Sequence, residues 1–312
     1  GDVPTVAPAT PTVSPPQSAA PIGTVIASPG GTALAQSRST LAVLGDDGVV
    51  RLHTAPGAAD TSPPRVVDLP GVTAVIADGD GFLAVSPTQV SRIATDSTVR
   101  RVAGDQGAAI SVAVRGDQIL VGTSDGHLRV LSASGQLQRD IYEFVRVDQI
   151  LVAPATSDLD GQVVVLDRAQ SLVAPVNIDT GERLAALRAG SGATLAVDDS
   201  YGRILVANTR DNEVLGFYGQ PIVMRFRFPV AASPYAITWD VAQKRLWVST
   251  TGDNQAIAYD ASTGELRELT RIPTVGQVGA MATDPANGML YLISQRGDGL
   301  QVVPSALTAT AR

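Results

Sequence analysis

Cysteine is absent from the 312-residue chain, which removes disulfides, thiolate nucleophiles and cysteine-ligated zinc together. Aromatic residues are scarce at 4%, and there are only three Met. A core must therefore come from Val, Leu, Ile and Ala within the 44% that are apolar. Positive charge is short as well: 23 Lys and Arg against 30 Asp and Glu leave a net charge of −7, with the basic residues scattered singly. Such a surface repels a phosphate backbone, which argues against nucleic acid as a partner. No run approaches the ~20 apolar residues of a membrane-crossing helix. Glycine-rich phosphate loops, H-E-x-x-H and paired catalytic glutamates are missing too. What is plentiful is punctuation, 30 Gly and 20 Pro, which favours many short strands joined by tight turns over long helices.

Those strands repeat. "LAVLG" at Leu41, "FLAVS" at Phe82, "ILVGT" at Ile119, "VVVLD" at Val163, "ILVAN" at Ile204, "LWVST" at Leu246 and "LYLIS" at Leu290 start 41, 37, 44, 41, 42 and 44 residues apart. Around each, the same order recurs. An Ala-rich strand such as "YAITW" (235–239) or "GAMAT" (279–283) comes first, and the apolar strand follows after a turn. A third strand such as "AIAYD" (256–260) and a Gly turn lead to a more polar fourth, as in "STGEL" (262–266). Four strands per ~40 residues, repeated radially, predict an all-β, seven-bladed β-propeller of four-stranded antiparallel blades. Innermost strands crowd an axis and should carry small residues; rim strands tolerate charge, as in "VRRV" (99–102) and "RELTR" (267–271).

The strand count predicts how the ring closes. The last repeat ends one strand short, after "LQVVP" (300–304), while "IGTVIAS" (22–28) is left over at the other end. Pairing the two would remove a pair of exposed edges. Residues 22–312 then form a single propeller domain.

Residues 1–21, "GDVPTVAPATPTVSPPQSAAP", carry Pro4, Pro8, Pro11, Pro15, Pro16 and Pro21 among Ala, Thr, Ser and Val. They cannot bury a core and are expected to form a disordered, solvated tether. The composition resembles the linker that follows the lipidated Cys of exported bacterial lipoproteins, particularly actinobacterial ones. That resemblance implies an extracytoplasmic, cell-envelope protein, held at the membrane by a lipid anchor only. A flexible terminus of any other origin would read the same way.

A second resemblance sits in the repeats. "P-x-A-I-T-W-D-x-x-x-x-R-L-W-V-S-T" (234–250) followed by "N-x-x-x-A-Y-D-x-x-T-G-E" (254–265) is similar to the YVTN repeat of bacterial seven-bladed propellers. The match is best over residues 192–299 and fades toward the N-terminus. It implies an exported propeller and transfers no catalytic residue, because the motif consists of packing and turn positions.

Short motifs that suggest chemistry have simpler readings. "GTSDGH" (122–127) contains G-x-S-x-G, but strands flank it on both sides where a nucleophile elbow needs a helix. Arg-Gly-Asp occurs at 115–117 and 296–298, where turns want Gly and Asp. Asp158 and Asp160, like Asp78 and Asp80, start as a calcium loop would. A full site needs about six to eight oxygens, and neither pair is followed by a bidentate Glu. Asx turns explain both pairs, with Asp158 and Asp160 the better metal candidates.

A binding surface is expected on the face bearing the turns between second and third strands. Its candidates are Arg210, Asp211, Asp253, Arg296 and Asp298 in those turns, with Arg146, Asp148, Tyr235 and Gln277 near the channel mouth. The expected function is a non-enzymatic binding or scaffold module for a protein or cell-envelope component, monomeric and without a cofactor. The alternative is a lactonase-type hydrolase with a divalent cation in the axial channel, for which Asp148 alone stands out as a ligand.

Overall fold

The fold is seen in a computed structural model describing residues 3–54, 56 and 62–309. Seven antiparallel sheets follow one another along the chain. Their innermost strands are Gly31–Ser37, Ala74–Asp78, Ala109–Arg115, Gln149–Val152, Ala193–Asp198, Pro234–Asp240 and Val278–Thr283, which define blades 1 to 7. Each touches the innermost strands of two neighbours, blade 7 against blade 1 included, so the array is a closed ring. The seven-bladed propeller expected from the repeats is what the chain forms. Blade 4 departs slightly from the plan, because its rim strand is split into Glu182–Arg183 and Leu187–Arg188.

Closure occurs at the expected place. Thr24–Ile26 pairs antiparallel with Leu300–Val303, Thr24 opposite Val302 and Ile26 opposite Leu300, and becomes the fourth strand of blade 7. Gly23 leads into it at φ +77, and a Cβ there would lie 2.2 Å from the Val302 carbonyl oxygen. Only glycine fits that turn.

Burial follows position in the blade. The second strands Thr40–Gly45, Ile204–Asn208 and Arg245–Thr250 are buried throughout, whereas rim strands such as Leu137–Tyr142 and Val223–Pro229 are mostly exposed. Alternate residues of each strand face opposite sides, so each blade shares one apolar layer with each neighbour. Trp239 and Trp247 illustrate this on adjacent strands of blade 6. Trp239 packs toward blade 5 with Leu205 and Val214, and Trp247 toward blade 7 with Leu290 and Leu292. Small residues are expected on the innermost strands, with Tyr235 among the larger ones near the channel mouth; the hub holds more large side chains than that. Ile76, Ile110, Val112, Leu195 and Tyr235 all line a central cavity of about 440 Å3. Seven blades hold the innermost strands far enough apart to admit these side chains.

Candidate functional site

One face of the ring carries the turns between second and third strands and the loops that enter the innermost strands. Several of these positions hold a non-glycine residue in the left-handed region: Ser171 (φ 49), Asn212 (φ 52), Ser233 (φ 63), Asn254 (φ 54) and Gln277 (φ 51). That conformation is uncommon outside glycine and asparagine, and neighbouring contacts must hold it. At Ser233, Asn254 and Gln277 those contacts include the chain's own N-terminal segment.

Residues 3–17 contain no helix, strand or turn and run across this face from blade 4 to blade 7 before the chain turns into the closing strand. At blade 4 the Val6 amide donates to the Ala169 carbonyl (2.7 Å), and Arg168 Nη2 donates to the Ala9 carbonyl (3.1 Å). At blade 5 Arg210 Nη2 donates to the Ala7 carbonyl (2.6 Å), while Gly192 makes room for Ala9. A Cβ on Gly192 would sit 2.9 Å from that of Ala9. The Thr12 amide donates to Ser233 Oγ (2.9 Å) at the mouth of blade 6.

Ser14 is held most tightly. Its amide donates to Gln277 Oε1 (2.9 Å), its hydroxyl donates to the Thr251 carbonyl (2.8 Å) and accepts from the Gln277 amide (2.7 Å), and its carbonyl accepts from Arg296 Nη1 (3.0 Å). Asn254 Nδ2 reaches the Pro15 carbonyl (2.9 Å), and Gln17 Nε2 reaches the Thr274 carbonyl (2.9 Å).

The segment expected to form a disordered, solvated tether lies along this face over residues 3–17; residues 1 and 2 lie outside the described residues. Most of its side chains are exposed, as the composition implied, but Ala9 and Ser14 are only 5% accessible. The physical reason is that a proline-rich chain makes no internal backbone hydrogen bonds. Its carbonyls remain open to donors, and this face presents arginine, asparagine and glutamine donors in a row.

The expected site residues divide into three groups. Arg210, Gln277 and Arg296 contact the segment directly. The aspartates beside them orient the loops: Asp298 accepts from Arg296 Nε (2.6 Å), Asp211 from the Ser191 amide (2.9 Å) and hydroxyl, and Asp253 from the Thr250 hydroxyl. The bonds from Ser191 hold the Asp211 carboxyl below the usual carboxylate range. Arg146 and Asp148 pair with each other (3.0 Å), and Asp148 also accepts from the Arg168 amide (2.8 Å). Asp148 and Tyr235 line the central cavity. Arg168, Asn254, Ser233 and Gly192 were not singled out by sequence. Arg168 and Asn254 fall in turns already assigned to this face; nothing local marks Gly192 as a seat for Ala9.

Among the described residues no three or more His, Asp or Glu side chains converge as ligands. Among the described residues Asp148 is the only carboxylate lining the central cavity, and both its oxygens are engaged. Asp78 and Asp80 are paired with Arg92 and Arg38. Asp158 lies on the opposite face, lining a cavity of about 650 Å3 with Tyr201, Arg203, Tyr218 and Arg225; Asp160 is not among its lining residues.

No protein-family model matches the chain, and no curated protein matches it in sequence. Solved structures match in shape. A hydrazine synthase structure from Kuenenia stuttgartiensis superposes with a TM-score of 0.72 at 14% identity, covering 92% of this chain and 99% of that one. The WD40 β-propeller domain of Doa1 gives 0.70 at 14% identity, covering 90% and 95%. The extracellular domain of a putative hybrid two-component system, BT4673 of B. thetaiotaomicron, gives 0.71 at 14% identity, covering 91% of this chain and 42% of that one. These likenesses establish the seven-bladed fold. With 1454 solved chains matching, the shape itself selects no activity.

Proposed function

We propose that the protein is a non-enzymatic binding module of the cell envelope, exported and tethered outside the cytoplasmic membrane by a lipid anchor, and kin to the YVTN propellers. Its loop face docks another protein or an envelope component. The observation that carries this reading is that the donors of blades 4 to 7, Arg168, Arg210, Asn254, Gln277 and Arg296, are arranged to grip polypeptide backbone. The same fold is found in a WD40 domain and in the extracellular domain of a hybrid two-component system, which is consistent with a protein-interaction role.

The test is recovery of a partner from envelope extracts with the intact protein, set beside Arg210→Ala/Arg296→Ala. A saturable partner lost in the double variant is the expected result. Tight calcium binding by calorimetry, abolished in Asp148→Ala, would overturn it in favour of a metal-dependent hydrolase.

A further inference from the structure

We propose that the face of blades 4 to 7 is a groove for an extended, uncharged, proline-rich stretch of a partner polypeptide, and that the chain's own residues 4–17 occupy it until displaced. This rests on reading the face as a protein-binding surface.

The first support is what the groove reads. Six carbonyls, those of Pro4, Ala7, Ala9, Thr12, Ser14 and Pro15, accept bonds in that order from Gln170, Arg210, Arg168, Gln277, Arg296 and Asn254. Every residue has a carbonyl, so recognition of this kind tolerates different sequences. Among the described residues of the segment, the groove takes backbone amide protons only from Val6, Thr12 and Ser14. Proline, which has none to offer, fits between them and arrives already extended, so less conformational freedom is lost on docking.

The second support is what the groove excludes. Its two closed seats hold Ala9 against Gly192 and Ser14 beneath Gln277, five residues apart, or ~15 Å in an extended chain. Large side chains do not fit there. Both signs of charge are interspersed in this sector and largely paired, Arg146 with Asp148, Arg296 with Asp298 and Arg227 with Glu213, so neither an acidic nor a basic stretch is favoured. Residues 3–21 contain no charged side chain.

The third support is that the occupant is separable from the fold. None of the seven core clusters draws on residues 3–21; the first N-terminal contributor is Ile22. The segment can therefore leave without opening an inter-blade layer. Tethered beside its own groove it competes at high effective concentration, and an outside ligand meets an apparent affinity lowered by the fraction of time the groove is filled.

The experiment uses a labelled synthetic peptide of residues 3–20 and the full chain. In Ala9→Lys/Ser14→Lys, the charged side chains cannot enter the two seats and the segment is expelled. The expected result is saturable peptide binding by this variant, at least tenfold tighter than by the wild-type chain, and lost again when Gln277→Ala and Arg296→Ala are added. In a second arm, a protease site inserted between Gln17 and Pro21 is cut after folding. The released segment should rebind its own propeller, and a version with every proline replaced by Gly should rebind at least tenfold more weakly.

Failure of the cut segment to rebind, or equal binding by the proline-free version, would overturn the proposal. So would a wild-type dimer that disappears in the Lys variant, since the occupant would then be a second copy's segment. Peptide binding without recovery of any envelope partner removes the proposed function and leaves the groove. A partner whose recovery ignores Gln277→Ala/Arg296→Ala removes the groove and leaves the function.

Discussion

Blades 1 to 3 and blades 4 to 7 are built on the same strand plan, yet their loop faces are used differently. In blades 1 to 3 the turns close on themselves. Asp47 accepts from the Val49 amide (3.1 Å) and from Arg51 Nη2 (3.0 Å), Ser86 Oγ meets Thr88 Oγ1 (3.1 Å), and Thr123 Oγ1 accepts from the His127 amide (2.9 Å). In blades 4 to 7 equivalent turns aim Arg168, Arg210, Asn254 and Arg296 outward, at a backbone more than 150 residues away in sequence. The strands fix where a turn sits, and a few side chains decide whether it serves itself or something else. The proposed groove belongs to one sector of the ring.

The largest expected effect tests whether the two sectors share one fold. Trp247→Ala empties the layer between blades 6 and 7, where Trp247 is fully buried, and should cost about 3–5 kcal/mol. Urea denaturation should still show a single transition at a lower midpoint. Two separate transitions would mean that the sectors unfold independently.

Next comes the segment itself. Ser14→Ala removes a hydroxyl that donates to Thr251 and accepts from Gln277, worth about 1–2 kcal/mol of local stability. Amide exchange at Val6, Thr12 and Ser14 should quicken about tenfold or more, with no change in the strands of blades 1 to 3. Equal quickening in both sectors would break the comparison.

A pH test separates the loop face from the far end of the same blades. Asp198 ends the innermost strand of blade 5 away from that face. Burial, reinforced by neighbouring Asp199, raises its carboxyl well above the usual range, and Oδ1 has no hydrogen-bond partner. A raised folded-state value means that stability is fully present below the unfolded-state value near 3.8 and is lost as pH rises through the folded one. Asp198→Asn should therefore melt higher than wild type at pH 8, the gap narrowing toward pH 4, while exchange of the N-terminal segment stays unchanged. A gap that does not vary with pH would refute the assignment.

The smallest effect is a control in the unstrapped sector. Asp80 and Arg38 form an ion pair with side chains 77% and 69% accessible. Asp80→Ala should change stability by less than about 0.5 kcal/mol and leave the segment's exchange untouched.

Legibility followed range. The second strands were readable because a run such as "ILVAN" at Ile204 or "LWVST" at Leu246 is apolar on both faces, as burial between two blades requires. Ring closure was readable from counting, one strand short at Val303 and one spare at Thr24. Arg210, Gln277 and Arg296 were placed on the right face because turn positions follow from strand order. Their target was not readable, and neither was the partnership of Gly192 with Ala9.

By itself, the sequence determined the repeat, the blade number, the joining of the chain's ends and the extended character of residues 3–17, since each is written in local periodicity or composition. Only the tertiary structure decided where that extended segment lies and which loops hold it. The Ser14 to Gln277 and Thr12 to Ser233 bonds join residues 263 and 221 positions apart. Contacts at that separation exist only once the ring has brought four blades' turns onto one face, and no pattern among near neighbours along the chain encodes them.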